Sequence, residues 1–252
     1  MSIAYGIDPI WAKNSSVGRN HISTKGVSQS GLVFNLDFGG GSYSAGSAID
    51  LKGTQNLTIY NSPVNTTDDF GGGLILNGTT QYCGATIPLA SALSVTTAFT
   101  IEQVFRITSF QSSTYYNLTN QLLTKGPAST YNYATQVSND TTFTFVKRTG
   151  AENLQFTNFT VPAMKNKVTV MTLVVSGTTV SCYSNGVFIS SGTYGGAAIA
   201  AVNNDPLYLG SLGNITYTNF TGSYYIGRIY DRDLSATEVG RNFNSIKTRF
   251  SL

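Results

Sequence analysis

Short segments in which apolar and polar residues alternate constrain the fold of this chain more than any other feature. The clearest examples are residues 32–38 and 98–107, where apolar side chains fall on nearly every second position. A period of two is typical of a β-strand with one buried face. Residues 167–175 are almost continuously apolar, as expected for a strand that is buried on both faces. These patterns predict a chain built mainly from strands.

Turn and helix signals complete the predicted fold. Asn185-Gly186 separates two strand-like segments, and both residues accept the positive φ angles of a two-residue type I′ turn. One segment has strong helical signals: residues 236–247 follow a capping box formed by Ser235 and Glu238. We predict an all-β fold, an antiparallel two-sheet jelly-roll sandwich with one short C-terminal helix.

A series of short motifs carries a family resemblance. In chain order they are 31–37, 49–53, 73–78 with Tyr82, 99–102, the turn at 185–186, 207–210, and the closing segment 227–235 with Glu238. Together they resemble the laminin-G-like, concanavalin A-like lectin-glucanase sandwich domains, in the type found in bacteriophage virion proteins. The resemblance implies a sandwich domain over 30–252. It also implies a structural role at a virion surface, as capsid decoration or as part of a fibre or neck appendage.

Residues 1–29 lie outside this resemblance and lack sustained periodicity. We predict that they form an N-terminal arm that attaches the protein to another virion subunit or to a neighbouring copy in a homo-oligomer. The side chains expected to bind that partner are apolar or aromatic: Ile3, Tyr5, Ile7, Ile10 and Trp11. Tryptophan is enriched at interface hot spots, which makes Trp11 the expected anchor. The alternative is that the arm folds back on its own sandwich.

Catalytic groups are scarce in this sequence. Glycoside hydrolysis needs two carboxyl groups roughly 5–10 Å apart, and Glu102, Glu152 and Glu238 are the only glutamates. Glu238 is explained by the helix cap, and Glu102 is expected to face outward. A serine or cysteine nucleophile needs a histidine base, and the only histidine is His21 in the arm. We therefore expect no enzymatic activity.

No cofactor or metal is predicted. Zinc sites need several closely spaced His or Cys ligands, which the sequence lacks. Related sandwiches can bind Ca²⁺ through loop oxygens, and residues 68–69 and 203–205 supply Asp and Asn in predicted loops. Because loop Asp and Asn are common turn formers, calcium is possible but no ligands are assigned.

Charge and hydropathy indicate where the protein acts. A net charge of +3 is too small for a nucleic-acid surface, and no apolar run is long enough to span a membrane. The segment 1–11 lacks the features of a secretory signal. We therefore expect synthesis in the host cytoplasm without a signal peptide, and free buried thiols at Cys83 and Cys182. The resemblance described above implies a final location on the virion surface.

Loop aromatics suggest a second function, that of a glycan-binding adhesin that recognises host surface polysaccharide. Sugars stack their C–H faces on exposed rings. The tyrosines in or near predicted loops are Tyr115, Tyr116, Tyr131, Tyr133, Tyr194 and Tyr217. The competing interpretation is that these rings cover strand ends or fill a subunit interface.

Overall fold

The computed structural model describes residues 26–44, 46–66, 70–88, 91–111, 120–126, 132–148, 154–195, 199, 205–212 and 218–252. Within these ranges the chain forms seventeen strands and one α-helix. The strands are β1 (Leu32–Asp37), β2 (Tyr43–Ser44), β3 (Ser47–Ala48), β4 (Leu57–Tyr60), β5 (Val64–Thr66), β6 (Gly73–Asn77), β7 (Tyr82–Ile87), β8 (Ala98–Ser109), β9 (Gln121–Lys125), β10 (Tyr133–Asn139), β11 (Thr142–Arg148), β12 (Leu154–Thr160), β13 (Val168–Ser176), β14 (Thr179–Ser184), β15 (Val187–Thr193), β16 (Asp205–Leu209) and β17 (Thr221–Tyr230), and the helix is α1 (Ala236–Ile246).

The strands form two antiparallel sheets. Sheet I has eight strands in the order β15-β14-β13-β8-β17-β6-β5, and β1 also pairs with β17. Strand β17 has two partners along one of its edges: residues 221–224 pair with β6, and residues 226–230 pair with β1. Sheet II has nine strands in the order β12-β11-β10-β9-β16-β7-β4-β3-β2. The predicted two-sheet antiparallel sandwich is confirmed.

The main core lies between the sheets and is filled by the inward positions of the alternating strands. Phe99, Ile101 and Phe105 of β8 belong to it, as their period of two predicts. One polar bridge crosses the core: Gln103 Nε2 donates to the Tyr224 hydroxyl at 2.8 Å, and the Thr135 hydroxyl donates to Gln103 Oε1 at 2.8 Å. Buried polar groups need such partners, so this bridge fixes sheet II against sheet I.

Two thiols also lie in this core. Cys83 of β7 and Cys182 of β14 are buried and free, as predicted. Desolvation raises the pKa of each thiol to about 12. Both cysteines are therefore packing residues and remain protonated at neutral pH.

Helix α1 lies on the outer face of sheet I. The Ser235 hydroxyl accepts from the Glu238 backbone N–H, and the Glu238 carboxylate accepts from the Ser235 backbone N–H, so the predicted capping box is confirmed. The helix buries Val239 and Ile246 against apolar side chains of the sheet. The carboxyl-terminal Phe250 extends this contact.

The described end of the predicted arm contacts this helix. Val27 packs in the same apolar cluster as Val239. The backbone N–H of Ser28 donates to Asn242 Oδ1 at 2.8 Å, and its hydroxyl donates to Glu238 Oε1 at 3.1 Å. Residues 1–25, with every arm side chain predicted to bind a partner, lie outside the described residues.

The Asn185-Gly186 turn joins β14 and β15 as predicted. Its φ angles are +48° and +74°, which is the left-handed region that a type I′ turn requires. A Cβ atom at Gly186 would lie 2.8 Å from Phe243 of α1. The glycine is therefore required both by the turn and by the close approach of the helix.

Glu102 is not exposed, contrary to the expectation that it faces outward to solvent. It projects from the outer face of β8 towards α1, where its side chain is 1% exposed. Its carboxylate accepts from Arg228 Nη1 at 2.5 Å and from Asn242 Nδ2 at 3.3 Å. The sequence pattern identified the correct face of the strand but not the helix that covers it.

Candidate glycan-binding face

The structure contradicts two of the six tyrosines predicted to face glycans. Tyr133 lies on an inward position of β10 and is fully buried, with its ring centroid 5.0 Å from that of Phe99. Tyr194 is 3% exposed, and its hydroxyl donates to the Gly177 carbonyl at 2.6 Å. Both rings fill the core because their positions continue the inward face of a strand. Tyr115, Tyr116, Tyr131 and Tyr217 lie outside the described residues.

Three other tyrosines form an accessible cluster on the outer face of sheet II. Tyr60 of β4 and Tyr82 of β7 stack with ring centroids 4.6 Å apart at an interplanar angle of 17°. Tyr208 of β16 meets Tyr82 edge-on, with centroids 5.9 Å apart. Tyr60 is 39% exposed and the other two are half-buried. We call these three residues the tyrosine patch.

Strand pairing explains why the three rings of the tyrosine patch lie together on the outer face. Tyr60 lies directly opposite Tyr82 in the β4–β7 pair. Tyr208 points outward because Leu207 and Leu209, on either side of it, belong to the core. Its ring lies over Gly84 of β7, where a Cβ atom would be 2.6 Å from the ring. Glycine at this position is what allows the ring to lie flat on the neighbouring strand.

The environment keeps the hydroxyls of Tyr82 and Tyr208 protonated. Desolvation, with Tyr60 and Tyr208 nearby, raises the pKa of Tyr82. Desolvation and Tyr60 likewise raise the pKa of Tyr208. These two hydroxyls are therefore neutral O–H groups, which can both donate and accept hydrogen bonds.

A polar track continues from the patch across the outer face of sheet II. Tyr208 is paired with Thr124 of β9, and from there hydrogen bonds run over β9, β10, β11 and β12. The steps are Thr124 Oγ1 to Gln121 Oε1 (3.3 Å), Gln121 Nε2 to Gln136 Oε1 (2.6 Å), Gln136 Nε2 to Ser138 Oγ (3.0 Å), Ser138 Oγ to Thr144 Oγ1 (2.8 Å) and Thr144 Oγ1 to Asn158 Oδ1 (2.8 Å). These linked side chains fix one another's orientation.

The residues of this polar track differ in their exposure to solvent. Gln121, Thr124, Gln136 and Thr144 are buried, whereas Asn158 at the far end is exposed. Near the patch, Thr58 and Thr86 are exposed at outward positions of β4 and β7. The accessible chemistry is thus aromatic rings flanked by hydroxyls, supported by a rigid polar layer. Such a surface suits saccharides, which offer both C–H faces and hydroxyls.

The described residues contain neither a cluster of metal ligands nor a membrane-spanning helix. Among the residues that the structure describes, no group of three or more His, Cys, Asp or Glu side chains could hold a metal ion. No helix in the same ranges is both long and apolar enough to cross a membrane. Glu102 and Glu238 are both held in hydrogen-bonded ion pairs, and Glu152 lies outside the described residues.

Comparison with known families identifies the fold. Residues 77–240 match the laminin-G-type model of the concanavalin A-like lectin/glucanases superfamily. The chain belongs to this family. The matched segment contains β7 to β17, and it includes the tyrosine patch except for Tyr60. No curated protein matches the chain.

Solved structures share the fold at low sequence identity. Domain 4 of AbnA, a GH43 extracellular arabinanase from Geobacillus stearothermophilus in complex with arabinotriose, aligns with a TM-score of 0.63 and 15% identity, covering 85% of this chain and 99% of that domain. The binding domain of botulinum neurotoxin DC, in complex with SialylT, aligns with a TM-score of 0.64 and 12% identity over 86% of this chain. The binding domain of Paraclostridial Mosquitocidal Protein 1 aligns at 0.61 and 17% identity over 85% of this chain. This chain spans 52% of the length of each toxin binding domain.

Proposed function

We propose that this protein is a non-catalytic module that binds glycans on the outer face of sheet II. The observation that carries the proposal is the tyrosine patch, three neighbouring rings on a face whose polar groups are already oriented. Tyrosine combines an apolar ring with a polar hydroxyl, so it suits a ligand with both kinds of surface. The arabinotriose and SialylT complexes of the similar structures support a saccharide ligand.

The positions of the two described glutamates support the proposed lack of catalysis. Glycosidases need one carboxyl group free to protonate the leaving oxygen and a second one across the scissile bond. Here Glu102 is buried beneath α1, and Glu238 is bound to Arg232 and Ser235 at the start of that helix. Neither lies on the face that carries the tyrosine patch. We expect no new reducing ends when the protein is incubated with polysaccharides.

Affinity electrophoresis through gels containing neutral polysaccharides, arabinan among them, tests the binding face. One stacking ring contributes about 1 kcal/mol, so Tyr60→Ala should weaken retardation about fivefold. Tyr60→Phe keeps the ring and should retain most of the affinity. Phe188→Ala is the matched control, because Phe188 is 52% exposed on sheet I, away from the patch. Equal retardation of the wild type and Tyr60→Ala, or an equal loss in Phe188→Ala, would refute the assignment.

We propose further that the module acts on the surface of a bacteriophage virion, as capsid decoration or as a fibre or neck appendage. The support is the resemblance of the closing segment 227–235 to phage virion domains. Antibody labelling of purified particles, read by electron microscopy, should place the protein on the capsid or on the tail. Absence of the label from intact particles would contradict this location.

The arm is proposed to be the attachment segment. Since Val27 and Ser28 contact α1, the informative deletion is 2–25, which leaves those contacts intact. We expect the deleted protein to melt close to the wild type while it fails to enter particles. A large loss of thermal stability with normal incorporation would show instead that the arm belongs to the sandwich.

A further inference from the structure

We propose that a cavity on the outer face of sheet I binds an acidic monosaccharide through its carboxylate. The cavity has a volume of about 420 Å³ and lies between β8, the 162–169 segment, the 184–185 turn and the carboxyl-terminal residues 250–252. Its volume lies in the range of small-molecule sites, roughly 300–1,000 Å³. The site is on the opposite sheet from the tyrosine patch and does not depend on it.

Two cations line this cavity, and none of the described lining residues is Asp or Glu. The cations are Arg106 and Lys167, and the carboxylate in the described lining is the α-carboxylate of Leu252. Four ion pairs occur in the described part of the chain, and none involves Arg106 or Lys167. Neither cation is therefore ion-paired, and the two cations outnumber the one α-carboxylate of the described lining.

Arg106 differs in this respect from the other arginines whose side chains are described. Arg228, Arg232, Arg241 and Arg249 each pair with a carboxylate. Arg106 has only a long contact from Nη2 to Ser223 Oγ at 3.5 Å, and its Nε is buried with no hydrogen-bond partner. A guanidinium favours bidentate binding of a carboxylate, so an anion with that geometry would suit this site.

The remaining walls suit a sugar ring. Phe70 and Phe250 lie with ring centroids 5.7 Å apart and form an apolar side of the cavity. Asn166 and Asn185 supply amide groups at its rim. The Asn185 Oδ1 already accepts from the Val170 backbone N–H at 2.9 Å, so its Nδ2 is the group offered to a ligand hydroxyl. Cations, an aromatic wall and amide donors together match a uronic or sialic acid better than a bare inorganic anion.

The test is calorimetric titration of the full chain with glucuronate and N-acetylneuraminate. The methyl ester of each sugar serves as the neutral counterpart, and inorganic phosphate tests for a simple anion site. We expect saturable binding of at least one acid and at least tenfold weaker binding of its ester, because a charge-assisted hydrogen bond contributes about 1.5–3 kcal/mol. Phosphate should bind more weakly than the acid.

Variants connect that binding to the cavity. Arg106→Gln and Lys167→Gln should each weaken acid binding about tenfold or more. Lys167 is exposed on a loop, so this second variant remains informative if Arg106→Gln disturbs the sheet. Lys165→Gln is the matched control, since Lys165 is an exposed lysine two residues away that does not line the cavity. The proposal is overturned if neither acid binds, if the esters bind equally well, if phosphate binds as tightly as the acid, or if Lys165→Gln matches Lys167→Gln.

Discussion

The buried ion pair beneath α1 gives the sharpest prediction about stability. Arg228 of β17 and Glu102 of β8 are directly opposite in register, and their side chains are 0% and 1% exposed. Arg228 Nε also donates to Asn35 Oδ1 at 3.1 Å, and Asn242 of α1 donates to Glu102 Oε2 at 3.3 Å. The pair thus joins three strands of sheet I to the helix.

Glu102→Gln removes the negative charge but keeps the shape of the side chain. Burial lowers the pKa of Arg228 and Glu102 raises it; without Glu102 the guanidinium still stays charged, because the pKa of arginine lies far above neutral pH. An unpaired buried charge costs about 3–5 kcal/mol of unfolding free energy. In a domain of this size that loss lowers Tm by about 6–20 °C.

Chemical denaturation of four proteins measures this effect: the wild type, Glu102→Gln, Arg228→Met and the double variant. The double variant leaves no isolated charge, so its loss should be smaller than the sum of the two single losses by about 2 kcal/mol. Arg241→Gln is the control, because Arg241 is 55% exposed and lies 3.7 Å from Glu238; it should cost no more than about 0.5 kcal/mol. A loss below about 1 kcal/mol in Glu102→Gln, or simple additivity, would show that the pair does not hold the helix.

Three further predictions concern single side chains. Cys83 and Cys182 should resist a thiol reagent at pH 8 (about half a unit below a free thiol's usual pKa) and should both react after denaturation, because burial raises the pKa of each to about 12. Glu238→Gln should cost about 1 kcal/mol at neutral pH. Hydrogen bonds from Arg232 and Ser235 lower the pKa of Glu238 from its usual 4.5. The stability that this carboxylate contributes is therefore present above pH 4.5 and is lost as the pH falls below that value. Denaturation measured from neutral to acid pH should show that the unfolding free energy depends less on pH in the variant. Lys147→Met should raise the unfolding free energy by no more than about 1 kcal/mol. Lys147 is 3% exposed and its Nζ has no hydrogen-bond partner, but the variant also loses the cation–π contact of that Nζ with the Tyr194 ring, 4.5 Å from its centroid. Burial lowers the pKa of Lys147 from 10.5, so the wild type should gain stability as the pH rises towards that value and the variant should not.

Local signals predicted the elements of the fold well. The Asn185-Gly186 turn and the Ser235–Glu238 capping box depend on backbone angles and neighbouring atoms, which the sequence specifies directly. The alternation in 98–107 likewise identified the inward face of β8. These features need no knowledge of distant parts of the chain, which is why they were predictable.

The tyrosines were harder to assign, because polarity alone does not separate a loop ring from a core ring. Tyr133 was predicted to face solvent, yet its strand position makes it an inward residue. Applying the same period of two would have placed Tyr208 outward between Leu207 and Leu209. The stacking of Tyr60 on Tyr82 depends on the pairing of β4 with β7, which are separated by two other strands in the sequence. That pairing could not be read from local pattern.

The low charge content of the chain gives its unpaired cations particular weight. Only 11% of the residues are charged. Four of the described arginines pair with carboxylates of the fold: Arg228 and Arg249 bind buried carboxylates, and Arg232 and Arg241 flank Glu238 at the start of α1. Each of these four arginines therefore has a structural role through its ion pair. Arg106 holds no carboxylate of the fold: its side chain has a long contact to Ser223 Oγ at 3.5 Å, and it lines the cavity of sheet I. A cation without a carboxylate partner in the fold is available to a ligand, and this separates the proposed site from the structural ion pairs beside it.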